Sequence, residues 1–266
     1  MTDGDDTRHN DVNSSIAQVN RMESERRLWQ TRNVAFLTSQ HSVSALPRLY
    51  DGRVLALIDL IGTKDLIKSS LGIPPAFEHA MGLLAAFAAK GRSFGLRVDH
   101  FSDSVVFSAP ATQDGAMMVA EHSARLCQRL LSDECLTRGA IVAGKLLHND
   151  LMIFGPALNE AVGLEKDKAD VFRLLVTSEA MRLLDCNDLV RQSGTDDHEL
   201  DYLSPGTRFA PEREALLRFR AIVDQKERET AGDSGLQKQN RKEYDKRLRR
   251  YRWLVCRINE AIKDCP

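Results

Sequence analysis

Asp59 stands where a carboxylate could hold a metal ion beside a phosphate group. It ends the short apolar segment 53–59, which favours a buried strand over a helix. A carboxylate there is costly to bury unless a cation compensates it, and Mg²⁺ prefers carboxylate and phosphate oxygens. Gly62 follows and opens a helix predicted from about Thr63, whose free N–H groups can bind phosphate. The alternative is that Asp59 only caps this helix.

Asp103 is a second candidate metal ligand. It lies in the segment Phe101-Ser-Asp-Ser-Val-Val106, which we interpret as a hairpin of two strands within residues 96–108, turning near Ser102 to Ser104. A carboxylate at a hairpin tip is also common turn chemistry, so Asp103 alone indicates little. Together with Asp59, however, it would give the two converging carboxylates that two-metal phosphoryl chemistry requires.

The predicted order of elements brings the two aspartates together. A helix is predicted with Phe77, Met81, Leu84 and Ala88 at helical spacing and Gly91 as its C-cap. After the hairpin, Asp114 could cap a helix reaching about Ser132, and residues 138–144 form another strand. The buried stripe of this second helix would be Ala116, Ala120, Ala124, Cys127 and Leu131. This order predicts an α+β, ferredoxin-like β-α-β-β-α-β core, in which the first strand neighbours the hairpin.

The remaining segments predict extensions of this core. Residues 151–154 and 171–177 read as strands with a helix over about 156–166 between them, and residues 22–40 could form a short amphipathic helix. From Pro211 the chain is helical and charged. We therefore expect a polar leader and short helix over 1–45, a catalytic domain over 46–206 and a C-terminal helical extension over 207–266.

Composition predicts a cytoplasmic protein without membrane spans. The chain has 266 residues, a formal net charge of -1 and 42% hydrophobic residues, so no global charge bias favours nucleic acid or a membrane surface. The polar N-terminus lacks a signal peptide, and no apolar run is long enough to cross a bilayer. Five cysteines without C-x-x-C spacing predict reduced thiols.

The C-terminal helix combines an apolar seam with a basic face. Residues 236–263 contain ten Lys and Arg against three acids, which leaves nucleic-acid binding open. We favour a solvated basic face on a helix that packs through its seam, and expect no stable binding to nucleic acid. The seam is formed by Tyr244, Leu248, Tyr251, Val255, Ile258 and Ile262.

Four loose motifs in order resemble those of class III nucleotidyl cyclases. Residues 153–161, Ile-Phe-Gly-Pro-Ala-Leu-Asn-Glu-Ala, with Leu164-Glu165 behind them, are similar to the strand-to-helix segment of these enzymes. Asp59-Leu-Ile-Gly62 resembles the first metal motif and Ser102-Asp103 the second. Residues 138–144 resemble the strand between the second motif and the strand-to-helix segment. The resemblance covers residues 53–177. It implies a homodimer whose chains together build each site, with two Mg²⁺ or Mn²⁺ ions per site.

The resemblance also implies roles for individual residues. Asp59, Ile61 and Asp103 would hold the metals, and Ile61, Gly62 and Thr63 would lie at the nucleotide. Asn159 matches the catalytic asparagine of the family. The lysine and aspartate with which adenylyl cyclases read adenine fall on Asp99 and Met152, and their transition-state arginine falls on Gly163. Arg138 and Arg173 are candidates for that missing arginine.

These departures are most similar to the Pycsar pyrimidine cyclases of bacterial anti-phage defence, which make cyclic UMP or cyclic CMP for a separate effector. Strand alternation predicts that Arg97, Asp99, Phe101 and Asp103 share one face, so the first three would line the cleft. Arg97 could donate to a uracil carbonyl and Asp99 accept from its N–H, which favours UTP over CTP. The alternatives are an exposed Arg97–Asp99 pair without function, and a degenerate domain that binds nucleotide and regulates.

Overall fold

The computed structural model describes residues 50–61, 75–185, 188–193, 197–204 and 210–265. The chain divides into two compact units, 1–49 and 50–266, and every described residue belongs to the second. The helix predicted over 22–40, the helix predicted from Thr63, and the phosphate-binding turn at Gly62 lie outside the described residues.

The predicted ferredoxin-like core is confirmed. Its strands lie side by side in the order β2-β3-β1-β4, and every adjacent pair is antiparallel. Helix α1 separates β1 from β2, and α2 separates β3 from β4, which gives the β-α-β-β-α-β plan. The core elements are β1 Asp51–Ile61, α1 Pro75–Gly91, β2 Arg97–Phe101, β3 Ser104–Pro110, α2 Gln113–Ser132 and β4 Leu136–His148.

Further elements extend the sheet beyond β4. Strand β6 pairs with β4 in parallel, and β8 and β7 continue the sheet to the order β2-β3-β1-β4-β6-β8-β7, while β5 pairs with the end of β4. Sequence reasoning missed α4, β7 and β8, which are short. These elements are β5 Ile153–Phe154, α3 Pro156–Asp167, β6 Leu174–Val176, α4 Ser178–Leu184, β7 Val190–Ser193 and β8 Asp197–Leu200.

The sheet is covered on both faces, which explains why β1 is apolar at almost every position. Ala56 and Ile58 join the core under α1 and α2, whereas Leu55 and Leu57 join a smaller core with Ala157 of α3. Because side chains alternate along a strand, Asp59 lies on the α3 face with Leu55 and Leu57. The candidate site therefore lies on the face that α3 covers only in part.

Two predicted helix details are wrong. Thr112, not Asp114, caps α2, because its hydroxyl accepts from the backbone N–H of Gly115. Gly91 is a helical residue, and the left-handed residue is Gly95, with φ 75°. Gly91 is needed for space, since a Cβ there would meet the side chain of Leu96 at 2.4 Å.

The predicted stripe of α1 holds in part, and that of α2 holds fully. In α1, Phe77 and Leu84 are buried, but Met81 is half exposed and Ala88 is only partly buried, while Ala80 and Phe87 are buried instead. All five residues predicted for α2 are buried.

The C-terminal segment forms three helices, α5 Arg213–Gly232, α6 Ser234–Gln239 and α7 Arg241–Asp264. The predicted seam of α7 packs inward through Tyr244, Leu248 and Ile258, and Leu254 is buried with them. Two arginines of the basic helix are buried as well. Arg257 pairs with Asp201 at 3.0 Å, and Arg250 donates to the backbone carbonyl of Asp170 at 2.7 Å. Among the described helices, none combines the length and apolarity needed to cross a bilayer.

Candidate active site

Asp59 and Asp103 lie at the same edge of the sheet. Asp59 is directly opposite Ser104 in the β1–β3 register, and the backbone N–H of Leu60 donates to the carbonyl of Asp103 at 2.7 Å. Burial raises the pKa of Asp59 most, and the charge of the nearby Asp103 carboxylate adds to this rise. The hairpin tip and the end of β1 therefore meet as the sequence predicts.

The hairpin turn directs Asp103 in a way that alternation does not. Strand β2 ends at Phe101, and Ser102 adopts a left-handed conformation with φ 56°. Asp103 therefore belongs to the turn, and the prediction that it continues the face of β2 does not apply to it. Its position is instead fixed by the backbone hydrogen bond from Leu60.

Arg138 connects Asp59 to a second acid. Arg138 lies opposite Asp59 in the β1–β4 register, and its Nε donates to Asp59 Oδ2 at 3.2 Å. Its Nη2 lies 2.5 Å from Oε1 of Glu165, a buried residue of α3. One guanidinium thus holds a half-buried carboxylate on the sheet and a buried one on the helix.

Burial is the main influence on both acids. It raises the pKa of Asp59 above its ordinary value, and the hydrogen bond and charge of Arg138 oppose this only in part. Burial likewise raises the pKa of Glu165, with a further contribution from the charge of Asp59. Among the described residues, Arg138 is the cation in direct contact with Asp59 and Glu165, and a divalent ion would neutralise further negative charge of the three carboxylates.

The residues present fit a divalent metal bound together with a phosphate substrate. Among the described residues, no group of three or more His, Cys, Asp and Glu side chains forms a complete metal site. Mg²⁺ is commonly held by only one or two carboxylates, with waters and substrate phosphates as its other ligands. Asp59 and Asp103 supply that minimum, and Ile61 ends β1 next to them. Gly62 and Thr63 lie outside the described residues.

The predicted base-reading residues share the face of Asp59. Arg97 is opposite Ser108, Asp99 opposite Val106 and Phe101 opposite Ser104, and opposed residues of an antiparallel pair point to the same side. Ser104 is in turn opposite Asp59. The face predicted for these three side chains is therefore the one observed.

Arg97 and Asp99 do not pair with each other. Arg97 forms an ion pair with Asp150, which is exposed. The carboxylate of Asp99 instead forms a hydrogen bond with Nε2 of His148, 2.8 Å from its Oδ2. His148 was missed at the sequence level, because a lone histidine at the end of a strand carries no motif. The available signal was its position two residues after Leu146, which places both side chains on the face toward α3.

Asn159 lies on α3 with an exposed side chain, so it points away from its own subunit's core. Gly163 is one turn further along the same helix, and a Cβ there would meet nothing within 4 Å. The face of α3 that would carry the family's asparagine and arginine is thus open.

Of the two candidate arginines, only Arg138 contacts a proposed metal ligand. Arg173 is held by Ser193 Oγ and by the backbone carbonyl of Lys168, both at 2.9 Å, and has a structural role. Arg250 of α7 is a further cation near the site. Its charge slightly opposes the rise in the pKa of Asp59 that burial causes. The pKa of Arg250 is lowered by burial and then by the charge of Arg138. The sequence placed Arg250 only on a basic helix.

Two cavities formed by described residues lie away from the aspartates. A cavity of about 450 Å³ lies between α1 and α2, and one of about 230 Å³ lies beside α3 and β6. Neither of these two cavities is lined by Asp59 or Asp103.

No protein-family model matches the chain, and a search of curated proteins finds none similar to it. Among solved structures, it is similar to the adenylyl cyclase CyaB from P. aeruginosa, with a TM-score of 0.46 and 15% identity over 58% of this chain and 96% of that chain. It is also similar to a bacterial light-regulated adenylyl cyclase, with a TM-score of 0.46 and 13% identity over 80% of this chain and 69% of that chain. A third similar structure is the monomeric guanylyl cyclase domain of the RhoGC fusion protein from the aquatic fungus Blastocladiella emersonii. Its TM-score is 0.40, with 11% identity over 57% of this chain and 95% of that chain. At such TM-scores these likenesses carry no argument about function.

Proposed function

We propose that this protein is a nucleotidyl cyclase of the class III type, which converts a nucleoside triphosphate to a 3′,5′-cyclic nucleotide and pyrophosphate. The observation that carries the proposal is the meeting of Asp59 and Asp103 at one edge of a ferredoxin-like sheet. A protein that only binds nucleotide has no need for two carboxylates there, because they repel a triphosphate. With divalent cations between them and the phosphates, the same charges become attractive.

The residues then divide the work of an in-line displacement. Asp59 and Asp103 would hold Mg²⁺ or Mn²⁺, which lowers the pKa of the ribose 3′-hydroxyl and neutralises the leaving pyrophosphate. Arg138 would keep its contact with Glu165 when Asp59 turns to a cation, so the guanidinium stays beside the reacting phosphate. Its positive charge would stabilise the charge that develops there.

We propose that two subunits build each site. Asn159 is exposed on α3 and lies outside its own core, as a residue serving a partner must. The hairpin of β4 and β5 presents Leu151, Met152 and Phe154 to solvent, each more than half exposed. Neighbouring exposed apolar side chains of this size are typical of a surface that a protein covers.

We further propose UTP as the preferred substrate and cyclic UMP as the product. Asp99 is an acceptor and Arg97 a donor on the face of Asp59, which suits the N–H and carbonyl groups of uracil. The Pycsar resemblance supports a cytoplasmic role in anti-phage defence, with the product read by a separate effector. Cytidylate cyclase activity is the second candidate, because the amino group of cytosine also suits Asp99.

The decisive experiment incubates the purified protein with each of the four nucleoside triphosphates and Mn²⁺, and identifies the products by mass spectrometry. We expect cyclic UMP and pyrophosphate in equal amounts, and none from Asp103→Asn. Cyclic CMP as the main product would replace the base assignment. No cyclic product from any nucleotide, with folded dimer present, would favour a degenerate regulatory domain instead.

A further inference from the structure

A chain of four polar side chains runs across the α3 face of the sheet and ends at Asp99. Arg53 Nε donates to Ser108 Oγ at 2.8 Å, Ser108 Oγ contacts His148 Nδ1 at 2.7 Å, and His148 Nε2 contacts Asp99 Oδ2 at 2.8 Å. This hydrogen-bonded network joins β1, β3, β4 and β2 in turn. Such a network is costly to bury unless every member is satisfied.

The chemistry of the two ends fixes the direction of the outer two hydrogen bonds, and the middle one follows for a neutral histidine. A guanidinium only donates and a carboxylate only accepts, so Ser108 Oγ accepts from Arg53, and Asp99 accepts from His148 Nε2–H. A neutral imidazole with its proton on Nε2 has a lone pair on Nδ1, to which the Ser108 hydroxyl donates. The order of donation is therefore Arg53 to Ser108 to His148 to Asp99.

The surroundings favour the neutral form of His148. Its side chain is 1% exposed, and burial lowers its pKa below the ordinary value, with the charges of Arg53 and Arg97 adding to this effect and Asp99 opposing it. Arg53 is itself anchored, because its Nη2 donates to the backbone carbonyls of Gly95 and Ser108 at 2.7 and 2.9 Å. The histidine is thus fixed both in position and in tautomer.

Only the far end of the chain reaches solvent. The carboxylate of Asp99 is 45% exposed, and only its Oδ2 is taken by His148. The second oxygen remains an acceptor on the face that carries Asp59, two residues from the donor Arg97. Three residues at least nine-tenths buried therefore orient one exposed acceptor, which exceeds what a surface carboxylate needs for stability.

We propose that Ser108 and His148 are positioning residues that hold Asp99 as a fixed acceptor for an N–H group of the substrate base, so that they determine base specificity without touching the base. This inference rests on the proposed cyclase function. For uracil the recognised group is N3–H, with a flanking carbonyl left for Arg97. A site built on such a hydrogen bond rejects a base that lacks the donor, because its own acceptor is then left unpaired.

Methylated substrates test the recognised group directly. 3-Methyl-UTP lacks the N3–H, whereas 5-methyl-UTP keeps it and adds the same bulk elsewhere. Losing one such contact costs about 1–3 kcal/mol, so kcat/KM for 3-methyl-UTP should fall about 5- to 150-fold below that for UTP. The value for 5-methyl-UTP should stay within a fewfold of UTP. If the enzyme prefers another nucleotide, the analogue of that base without N–H groups on its pairing edge takes the place of 3-methyl-UTP.

Two matched variants test the positioning role. His148→Gln places an amide N–H where Nε2 stands and keeps the donor to Asp99, while His148→Asn reaches only the Nδ1 position and loses it. We expect His148→Asn to raise KM for UTP about tenfold with little change in kcat, and to leave 3-methyl-UTP unaffected, so that discrimination disappears. His148→Gln should retain it. Asp99→Asn, at a half-exposed position, should lose discrimination without loss of folding if His148 variants unfold.

The outcomes separate this inference from the function on which it rests. Equal turnover of UTP and 3-methyl-UTP by the wild-type protein would overturn the inference and leave the cyclase function standing. A parallel loss of both substrates in His148→Asn and His148→Gln would also overturn it, since that is the pattern of a structural role. No cyclic product from any nucleotide would overturn the function and the inference together.

Discussion

Asp59 on β1 and Arg138 on β4 are directly opposed across an antiparallel pair, and Arg138 Nε donates to Asp59 Oδ2 at 3.2 Å. The same guanidinium reaches Glu165 on α3. A cation arriving at Asp59 therefore competes with Arg138 for one carboxylate. Arg138 loses this partner without being left alone, because Glu165 remains.

Asp59→Asn should abolish activity and stabilise the fold at neutral pH. Loss of a metal ligand should reduce turnover at least about 100-fold. Burial raises the pKa of Asp59, so its charged form is the less stable one in the folded protein. The destabilisation is complete above the raised pKa and vanishes below the ordinary value of an aspartate. The gain in Tm should therefore be largest near pH 7 and decline as pH falls through that window.

Thermal unfolding measured between pH 4 and 8 checks this prediction, with about 2–4 °C expected for each kcal/mol gained. Asp51→Asn is the matched control, since Asp51 lies exposed at the start of the same strand. It should change neither activity nor the pH dependence of Tm. An Asp59→Asn protein that is less stable than wild type at pH 7 would show that Asp59 is a structural ion-pair partner.

Glu165→Gln should raise the metal concentration that the enzyme requires. Without the charge of Glu165, the one ion-pair partner left to Arg138 among the described residues is Asp59, so Arg138 should compete more strongly with the metal. A difference of about 1.4 kcal/mol corresponds to a tenfold higher Mn²⁺ requirement at half-maximal rate. Glu160→Gln on the same helix, where the side chain is exposed, should leave the requirement unchanged. An unchanged Mn²⁺ titration for Glu165→Gln would contradict the competition.

The sequence predicts the parts of this site that follow from local rules. Strand alternation places Arg97, Asp99 and Phe101 on the face of Asp59, and the register confirms it. Asp103 escaped the same rule, because the left-handed Ser102 ends the alternation before it. Alternation is a property of a regular strand, so it stops where the strand stops.

What the sequence could not predict are partners that only the folded sheet brings together. His148 meets Asp99 across 49 residues, and Arg138 meets Asp59 across 79. The predicted alternative of an Arg97–Asp99 pair is wrong, because each finds a partner on a later segment, Asp150 or His148. Arg97 and Asp99 lie two residues apart on β2, yet each pairs with a side chain of β4 or of the loop that follows β4.

Sites shared between subunits predict recovery of activity by mixing two inactive variants. On the proposed mechanism, Asp59→Ala would remove a metal ligand of its own site, and Asn159→Ala would remove an exposed residue that serves the partner subunit. Random exchange of equal amounts gives half heterodimers, each with one intact site, so about a quarter of wild-type activity should return. Cyclic product is measured before and after exchange, which is followed by mass tags on the two variants. Exchange without recovery would mean that each chain works alone.

Gly163→Arg should increase kcat. A side chain at this position meets nothing within 4 Å, and the residue lies one helical turn after Asn159, so the new guanidinium would enter the shared site without disturbing the core. It would add a second cation to that of Arg138, at the position where the class III resemblance expects a transition-state arginine. Gly163→Gln is the control of similar length without charge, and Gly163→Ala should only stabilise α3, by about 0.5–1 kcal/mol. Equal kcat for the Arg and Gln variants would indicate that Arg138 already fills the role.

Arg97→Ala should reduce turnover of UTP more than that of CTP. The ion pair of Arg97 with Asp150 is exposed, and such pairs contribute about 0–1 kcal/mol, so the variant should fold and Arg97 can leave Asp150 for a ligand. Losing a donor to a uracil carbonyl should lower kcat/KM for UTP by about 1–3 kcal/mol in free energy. Asp150→Asn is the matched control, because it removes the same ion pair but leaves the donor. If Arg97 acts only through the ion pair, both variants will show the same kinetics with both nucleotides. If it reads the base, only Arg97→Ala will narrow the difference between UTP and CTP.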